Sequence, residues 1–261
     1  MTRLSLSTIL LAGVVAITML SSTGAWAQGR AAGPPQSPRE GALIDLTGQW
    51  VSIVTEDWRW RMVTPPKGDA ASVPLNPAGR RVMDTWDLAL DRRRGDLCKA
   101  FGPPGLIRQP GRMRIRWEDD NTLEMRFDAG NQVRRLRFGE SDAPGARTLQ
   151  GTSRARWFRQ PQTRGLARGG RPSGGSLAVV TDNLRDGYLR PNGVPYSDRA
   201  TVKEFFDVFS LGEDGTWMIV TTVVSDPTYL SQEFVISSQF KREDETSRWS
   251  PRPCDIPTPL P

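Results

Sequence analysis

The chain has 261 residues, of which 37% are hydrophobic and 25% charged, so it can bury a core and is not disordered throughout. It contains no histidine, which excludes Ser-His-Asp and Cys-His catalysis and every histidine-ligated metal site. The formal net charge is +6, and residues 101–175 alone hold 15 arginines against 7 acidic residues. We interpret that stretch as a solvated arginine-rich sheet face, complemented by an acidic face elsewhere in the fold.

The N-terminus has the features of a secretory signal peptide over residues 1–27. Arg3 precedes an apolar run from Ile9 to Leu20, and Ala25-Trp26-Ala27 forms a small-x-small cleavage pattern before Gln28. The apolar run is too short to span a membrane comfortably, and no later segment offers about 18 consecutive apolar residues. We therefore expect a periplasmic or secreted protein with no integral membrane segment and no nucleic-acid partner.

The sequence has two cysteines, Cys98 and Cys254. In an oxidising compartment this favours a disulfide between them. Because the closed loop would be long, the chain-entropy model predicts a stabilisation of about 4–5 kcal/mol. The alternative is a free nucleophile at Cys98, which would lack a histidine to activate it.

Gly, Pro, Ala and Arg dominate residues 28–41, which predicts a disordered leader before a single β-barrel domain over residues 42–261. A first strand is predicted from Trp50 to Met62, because apolar and charged residues alternate at its end. One short helix is predicted to follow, with Asn76-Pro77 as its N-cap and first helical position.

From Arg112 onward, apolar residues recur with a period of two between polar turns, which is typical of consecutive β-hairpins. Residues 160–175 are predicted to be a flexible loop between two of these strands. The predicted fold is all-β, an antiparallel meander that closes into a barrel or half-barrel with one short helix. The later predicted strands are Thr152–Phe158, Ser176–Leu184, Thr201–Phe209, Thr216–Val224 and Glu233–Phe240.

Several stretches resemble a known architecture. Gly48-Gln49-Trp50 resembles the G-x-W opening motif of lipocalin-type barrels. The stretches VTEDWRWRMVTPPKGDAASVPLN, GYLRPNGVPYS, DPTYLSQEFVISSQFKRE and WSPRPC resemble a group of secreted bacterial proteins with lipocalin-like, calycin-type barrels. The resemblance implies that fold and an envelope location. It carries no catalytic motif, so it assigns no active-site residue.

The candidate acids are two glutamates. On the predicted first strand, Glu56, Trp58 and Trp60 share one face, so Glu56 would be a carboxylate beside an indole and a candidate general acid. The alternative is that both tryptophans fill the core beneath an outer charged ladder. Glu204 has apolar neighbours on its strand face and is the second candidate, with a satisfied ion pair to an arginine as the alternative.

A ten-residue loop over residues 187–196 is predicted at the barrel mouth, where loops often carry binding groups. Its Tyr188, Arg190, Asn192 and Tyr196 are predicted to bind a ligand together with Trp58 and Trp60, in a pocket of roughly 300 Å³ or more. The alternative is a turn shaped by proline and glycine, whose tyrosines pack on the barrel rim.

These features predict a periplasmic binding protein for a small apolar or amphipathic molecule. One alternative is a histidine-independent lyase, isomerase or hydrolase that uses barrel carboxylates and tyrosine, and another is an envelope interaction module that uses the arginine-rich face. The acidic clusters at 118–120 and 213–214 are interpreted as solvated hairpin turns rather than calcium sites, so neither a metal nor a cofactor is predicted.

Overall fold

The computed structural model describes residues 36–139, 145–159, 175–244 and 247–259. The predicted signal peptide, residues 28–35 of the predicted leader and residues 160–174 of the predicted loop lie outside these ranges. Residues 36–41, at the end of the predicted leader, form a turn in which the Gly41 amide donates to the Ser37 carbonyl at 2.9 Å. The Trp157 indole donates to the Pro38 carbonyl at 2.7 Å, so this turn contacts the strands.

Nine strands form a closed β-barrel, which confirms the predicted all-β barrel fold. The barrel strands are β1 (Gly48–Ile53), β2 (Arg112–Asp119), β3 (Thr122–Phe127), β4 (Val133–Phe138), β5 (Thr152–Phe158), β6 (Ser176–Asp182), β9 (Thr201–Ser210), β10 (Thr216–Ser225) and β11 (Phe234–Glu243). Around the barrel they follow the order β1-β11-β10-β9-β6-β5-β4-β3-β2, and β2 pairs again with β1. Between β6 and β9, β7 (Gly187–Arg190) and β8 (Val194–Tyr196) form a separate hairpin.

One barrel pairing is not antiparallel, so the prediction of an antiparallel meander is wrong at this point. β4 and β5 run parallel, with Leu136 beside Ser153 and Phe138 beside Ala155. A parallel pair needs a connection that returns the chain to the end where the previous strand began. The 13 residues between Phe138 and Thr152 are enough for such a return, whereas the tight turns between the other early strands are too short.

The period-of-two prediction for β2 and β3 is confirmed. Met113 and Ile115 point inward and are buried, while the arginines between them lie on the outer face. On that face the buried Glu124 carboxylate accepts from Arg116 Nε at 2.9 Å and lies 3.5 Å from Arg135 Nη2. The carboxylate that complements these arginines therefore lies on the arginine-rich face itself, and not on an acidic face elsewhere in the fold.

The predicted strand from Trp50 to Met62 is too long. β1 ends at Ile53, where its pairing with β11 ends, and α1 (Trp58–Arg61) follows as one helical turn. Asp57 precedes α1 in the left-handed region, with φ of 52°. Alternation predicts a strand only where neighbouring strands are present to pair with it. β11 continues to Phe234 beyond the partner of Ile53, but β2 begins at Arg112, opposite Val51, so one of the two neighbours is missing there.

Helices cover the end of the barrel where β1 ends. The predicted helix is confirmed as α2 (Pro77–Asp84), whose N-cap Asn76 accepts from the amides of residues 78 and 79. The prediction of a single helix is wrong, because α3 (Leu88–Arg94) and α4 (Pro103–Leu106) follow. α3 is too short to show a helical period, although Asp87 caps its start and Gly95, with φ of 72°, ends it.

The predicted loop over residues 187–196 is instead the β7–β8 hairpin. Asn192-Gly193 is a strong hairpin signal, because both positions tolerate positive φ. Gly193 has φ of 81°, and a Cβ atom at this position would overlap the ring of Trp86. The sequence therefore indicates a hairpin at this position, and the prediction of a loop was wrong.

The barrel interior contains two hydrophobic clusters with polar side chains between them. Along each of three adjacent strands, one polar residue separates a member of one cluster from a member of the other: Glu204 between Val202 and Phe206, Thr222 between Val224 and Val220, and Ser238 between Ile236 and Phe240. These polar residues, with Arg134, Ser153 and Thr181, form what we call the polar layer. Large side chains such as Trp50, Met125 and Phe206 fill the interior beyond it.

Candidate functional site

A groove of about 360 Å³ lies at the end of the barrel where β1 ends and β2 begins. One wall is the segment from Arg61, the last residue of α1, to Thr64, and another wall is the C-terminal tail from Arg252 to Pro257. Phe101 and Pro110 complete the lining with further apolar surface. We call this cavity the mouth groove. It combines apolar walls with a few polar groups, which is the usual composition of a small-molecule site.

The tail that forms one wall is fixed to the rest of the protein at three points. The Arg252 amide donates to the Asp128 carbonyl at 2.8 Å, and Arg92 Nη2 donates to the Ile256 carbonyl at 2.9 Å. Between them, Cys254 forms the predicted disulfide with Cys98, across 156 residues of sequence. The disulfide thus holds a wall of the mouth groove in place.

Arg61 lies at the inner side of the groove with a fully buried side chain. Its Nε donates to the Arg108 carbonyl at 2.9 Å, its Nη2 donates to Ser52 Oγ at 3.0 Å, and its Nη1 donates to the Glu56 carboxylate. Burial lowers the pKa of Arg61, and the charge of Glu56 opposes that shift. Glu56, predicted as a candidate acid, is therefore the ion-pair partner of this arginine.

Trp58 and Trp60 do not share a strand face, because α1 is helical. Trp58 is 65% exposed, which contradicts a pocket that both indoles line in this structure. Trp60 is half-buried, and its indole N–H donates to Asp69 Oδ2 at 2.9 Å. The guanidiniums of Arg59 and Arg190 each lie 4.6 Å from the centroid of its ring. Trp60 and Arg190, both predicted site residues, are thus in direct contact.

Arg190 is almost completely buried, at 2% exposure, and its three guanidinium nitrogens have no hydrogen-bond partner among the described residues. Nη1 of Arg108, another buried arginine, is also without a partner there. Both side chains line a small cavity of about 10 Å³ together with Trp60, and we call it the arginine cavity. Burial lowers the pKa of Arg190 to about 10, with the charge of Arg108 acting in the same direction.

Two other predicted site residues make structural hydrogen bonds. The Tyr188 hydroxyl donates to Asp91 Oδ2 at 3.0 Å, where the Trp86 indole N–H also donates at 3.0 Å. Burial, with the charge of Asp91, raises the pKa of Tyr188 far above its ordinary value. Asn192 Nδ2 donates to the carbonyls of Pro66 and Asp69, which holds the hairpin turn against the segment after α1.

Tyr196 is fully buried, and its hydroxyl has no hydrogen-bond partner in the described part of the chain. A Cβ atom on Gly102 or on Gly187 would overlap this hydroxyl, so both glycines leave room for the ring. Burial raises the pKa of Tyr196 well above its ordinary value. The side chain packs the base of the β7–β8 hairpin and does not line the mouth groove.

Glu204 lies in the polar layer with no exposed side-chain area. Its Oε1 accepts from Arg134 Nη1 at 2.9 Å, and its Oε2 accepts from Arg134 Nη2 at 2.5 Å. The expected alternative, a satisfied ion pair with an arginine, is therefore confirmed. The carboxylate is engaged by a guanidinium, as Glu56 is.

Several residues that line the mouth groove or the arginine cavity were not predicted from the sequence. Nothing in the sequence distinguishes Arg61 and Arg108 from the other arginines. Their side chains come close together only because the segment after β1 folds back against α4. Thr64 has no sequence feature that indicates a role. It lines the mouth groove, and its hydroxyl is buried without a partner among the described residues. The position of the C-terminal tail could have been predicted, because the predicted disulfide places Cys254 beside Cys98, at the end of the barrel that the helices cover.

No protein-family model, curated protein or solved structure matches this chain. The resemblance to lipocalin-like barrels therefore stays a prediction. Within the described ranges, no helix is long and apolar enough to cross a membrane. In the same ranges, no three Cys, Asp or Glu side chains converge in a way that could hold a metal ion.

Proposed function

We propose that this protein binds a small amphipathic molecule in the mouth groove, as a periplasmic or secreted binding protein. The observation that carries the proposal is the groove itself, whose volume of about 360 Å³ lies within the range of small-molecule sites. Met62, Val63 and Ile256 supply apolar surface for the body of the ligand. The signal-peptide features and the disulfide support export, since disulfides persist in oxidising compartments.

The polar groups of the groove support an amphipathic ligand over a purely apolar one. Thr64 Oγ1 is buried without a partner in the described ranges, and an unmade hydrogen bond of this kind costs about 1–3 kcal/mol. The exposed side chains of Arg252 and Asp255 also line the groove and can contact a polar group of the ligand. The barrel interior is already filled by large side chains, which favours binding at the mouth over binding inside the barrel.

The test is a titration with N-phenyl-1-naphthylamine, an uncharged dye whose fluorescence rises when it leaves water. We expect saturable binding, and we expect Met62→Asp to weaken it at least tenfold, because a ligand would have to desolvate the new carboxylate. Leu211→Asp is the matched control: Leu211 is 50% exposed against 56% for Met62, and it lies in the β9–β10 turn at the other end of the barrel. Equal dye binding by all three proteins would refute the groove as the site.

No observation in the described structure favours the enzyme alternative. Both candidate acids form ion pairs with buried arginines, Glu56 with Arg61 and Glu204 with Arg134. A general acid or base must exchange its proton with a substrate within hydrogen-bond reach. These carboxylates instead position guanidiniums.

A further inference from the structure

The strongest unexplained feature of the molecule is the unpaired charge of Arg190. Its side chain is 2% exposed, and none of its guanidinium nitrogens has a partner among the described residues. Removing a charge from water is costly unless a partner compensates for it. The cation–π contact with the Trp60 ring, 4.6 Å from the ring centroid, offsets only part of that cost. The protein therefore leaves a large part of the cost uncompensated at this position.

The carboxylates around Trp60 are already engaged. The other three arginines of this region each pair with one acid: Arg59 with Asp69, Arg61 with Glu56, and Arg108 with Asp57. The charges of Asp57 and Asp69 raise the pKa of Arg190, but burial and the charge of Arg108 outweigh them. One positive charge is thus left over, so a single negative charge would balance the region.

The two arginines that carry the unpaired donors line a cavity that adjoins the mouth groove. Arg190 and Arg108 both line the arginine cavity, whose volume of about 10 Å³ has room for one atom the size of a water oxygen. The arginine cavity and the mouth groove share three lining residues, Arg61, Gln109 and Pro191. A ligand in the groove can therefore present one of its oxygens to the two guanidiniums.

We infer that Arg190, with Nη1 of Arg108, binds a singly charged oxyanion, the carboxylate or acidic ester head group of the molecule in the mouth groove. This inference rests on the proposed function and names the chemical class of its ligand. A guanidinium suits the task because its planar set of donors matches the oxygens of carboxylates and phosphate-type esters. Water is largely excluded at this position, so the charge-assisted hydrogen bonds are strong.

Calorimetric titration with three ligands of equal chain length tests the inference: decanoate, decyl sulfate and 1-decanol. We expect at least one of the two anions to bind tenfold or more tightly than the alcohol, and the stronger anion identifies the head group. In Arg190→Gln, the anions should lose this advantage while the alcohol binds as before. Arg81→Gln is the matched control, because it removes the same charge from an exposed arginine on α2 that lines neither the arginine cavity nor the mouth groove.

The outcomes separate this inference from the proposed function. If the alcohol binds and neither anion is preferred, the inference is overturned and the groove stands. If neither the alcohol nor the uncharged dye binds, the proposed function fails. In that case, the wild-type protein is titrated with sodium acetate and the NMR resonance of the Arg190 Nε–H is followed. A resonance that shifts to saturation shows that Arg190 binds an anion without the amphipathic ligand. A resonance that does not shift overturns the inference.

Stability provides a further readout that a merely structural arginine would not give. Because Arg190 is buried without a partner, Arg190→Gln should unfold at an equal or higher temperature than the wild type. Decanoate should then raise the unfolding temperature of the wild type and not that of the variant. If the variant does not fold, the Nε–H titration of the wild-type protein still tests the inference.

Discussion

Arg134 on β4 and Glu204 on β9 form a bidentate ion pair inside the barrel, with side-chain exposures of 1% and 0%. Arg134 Nη2 also donates to Thr181 Oγ1 at 3.3 Å, so the pair connects three strands of the polar layer. Charges in such a place stabilise the fold only while both partners are present. The pair fixes which side chains face each other between the two hydrophobic clusters.

We predict that Glu204→Leu lowers the free energy of unfolding by about 3–5 kcal/mol, because it leaves the guanidinium of Arg134 buried without its partner. The double variant Arg134→Met/Glu204→Leu should recover much of this loss, since it removes both charges and keeps an apolar side chain at each position. Urea unfolding of the two variants and the wild type measures this. Additive losses in the double variant would contradict the buried-pair explanation.

Much of the barrel could be predicted because strand alternation is a local property. In β2, each residue faces away from the one before it, so Met113 and Ile115 had to share the buried face. The same rule failed at Trp58 and Trp60, because whether that segment is a strand depends on a neighbouring strand. The bonds that decide it, from Trp60 and Arg59 to Asp69, join residues nine and ten positions apart.

The arginine cavity could not be predicted for a different reason. Arg190 was a candidate because its segment combined tyrosine, arginine and asparagine. That it is buried and unpaired depends on Asp57 and Asp69 being taken by other arginines, which the fold alone determines. The parallel pairing of β4 and β5 could not be predicted either, because both strands show the alternation that antiparallel strands also show. The path of the connection between them determines the direction of pairing.

Tyr196 and Gly102 should show coupled effects on stability. Gly102 has φ of −73°, so alanine fits its backbone, but the new methyl group would overlap the Tyr196 hydroxyl. We predict that Gly102→Ala costs about 1–3 kcal/mol as overpacking. Tyr196→Phe alone should be neutral or stabilising, because the hydroxyl is buried without a partner among the described residues.

The double variant Gly102→Ala/Tyr196→Phe should therefore be more stable than Gly102→Ala alone, and thermal unfolding of the four proteins measures the coupling. Gly95→Ala is a contrasting control, because Gly95 has φ of 72° and no atom near a Cβ position. Its cost comes from the backbone and should be unaffected by Tyr196→Phe. Equal responses at the two glycines would refute the steric explanation.

Two of the three tyrosines should resist ionisation while the protein stays folded. Burial is the first cause of the raised pKa of Tyr188 and of Tyr196, and a raised pKa means that the fold favours the neutral phenol. Stability from this source is complete below the ordinary tyrosine pKa of about 10 and is lost as the pH rises above it. Alkaline titration, followed by phenolate absorbance and circular dichroism together, should show these two ionising only as the barrel unfolds. Reversible ionisation of all three near pH 10 in a folded protein would contradict the burial.

Reduction of the Cys98–Cys254 disulfide should weaken ligand binding before it unfolds the barrel. The bond closes a loop across 156 residues, for which the chain-entropy model gives a stabilisation of about 4–5 kcal/mol. At about 2–4 °C per kcal/mol, the unfolding temperature should fall by roughly 8–20 °C. The tail would then be held only by the buried side chain of Ile256 and by hydrogen bonds such as that from Arg92 to the Ile256 carbonyl, so one wall of the mouth groove loosens. At a temperature where circular dichroism still reports a folded barrel, the reduced protein should bind N-phenyl-1-naphthylamine several-fold more weakly, and Cys98→Ser/Cys254→Ser should behave in the same way. If dye binding stays unchanged in the folded, reduced protein, the tail is not a wall of the binding site.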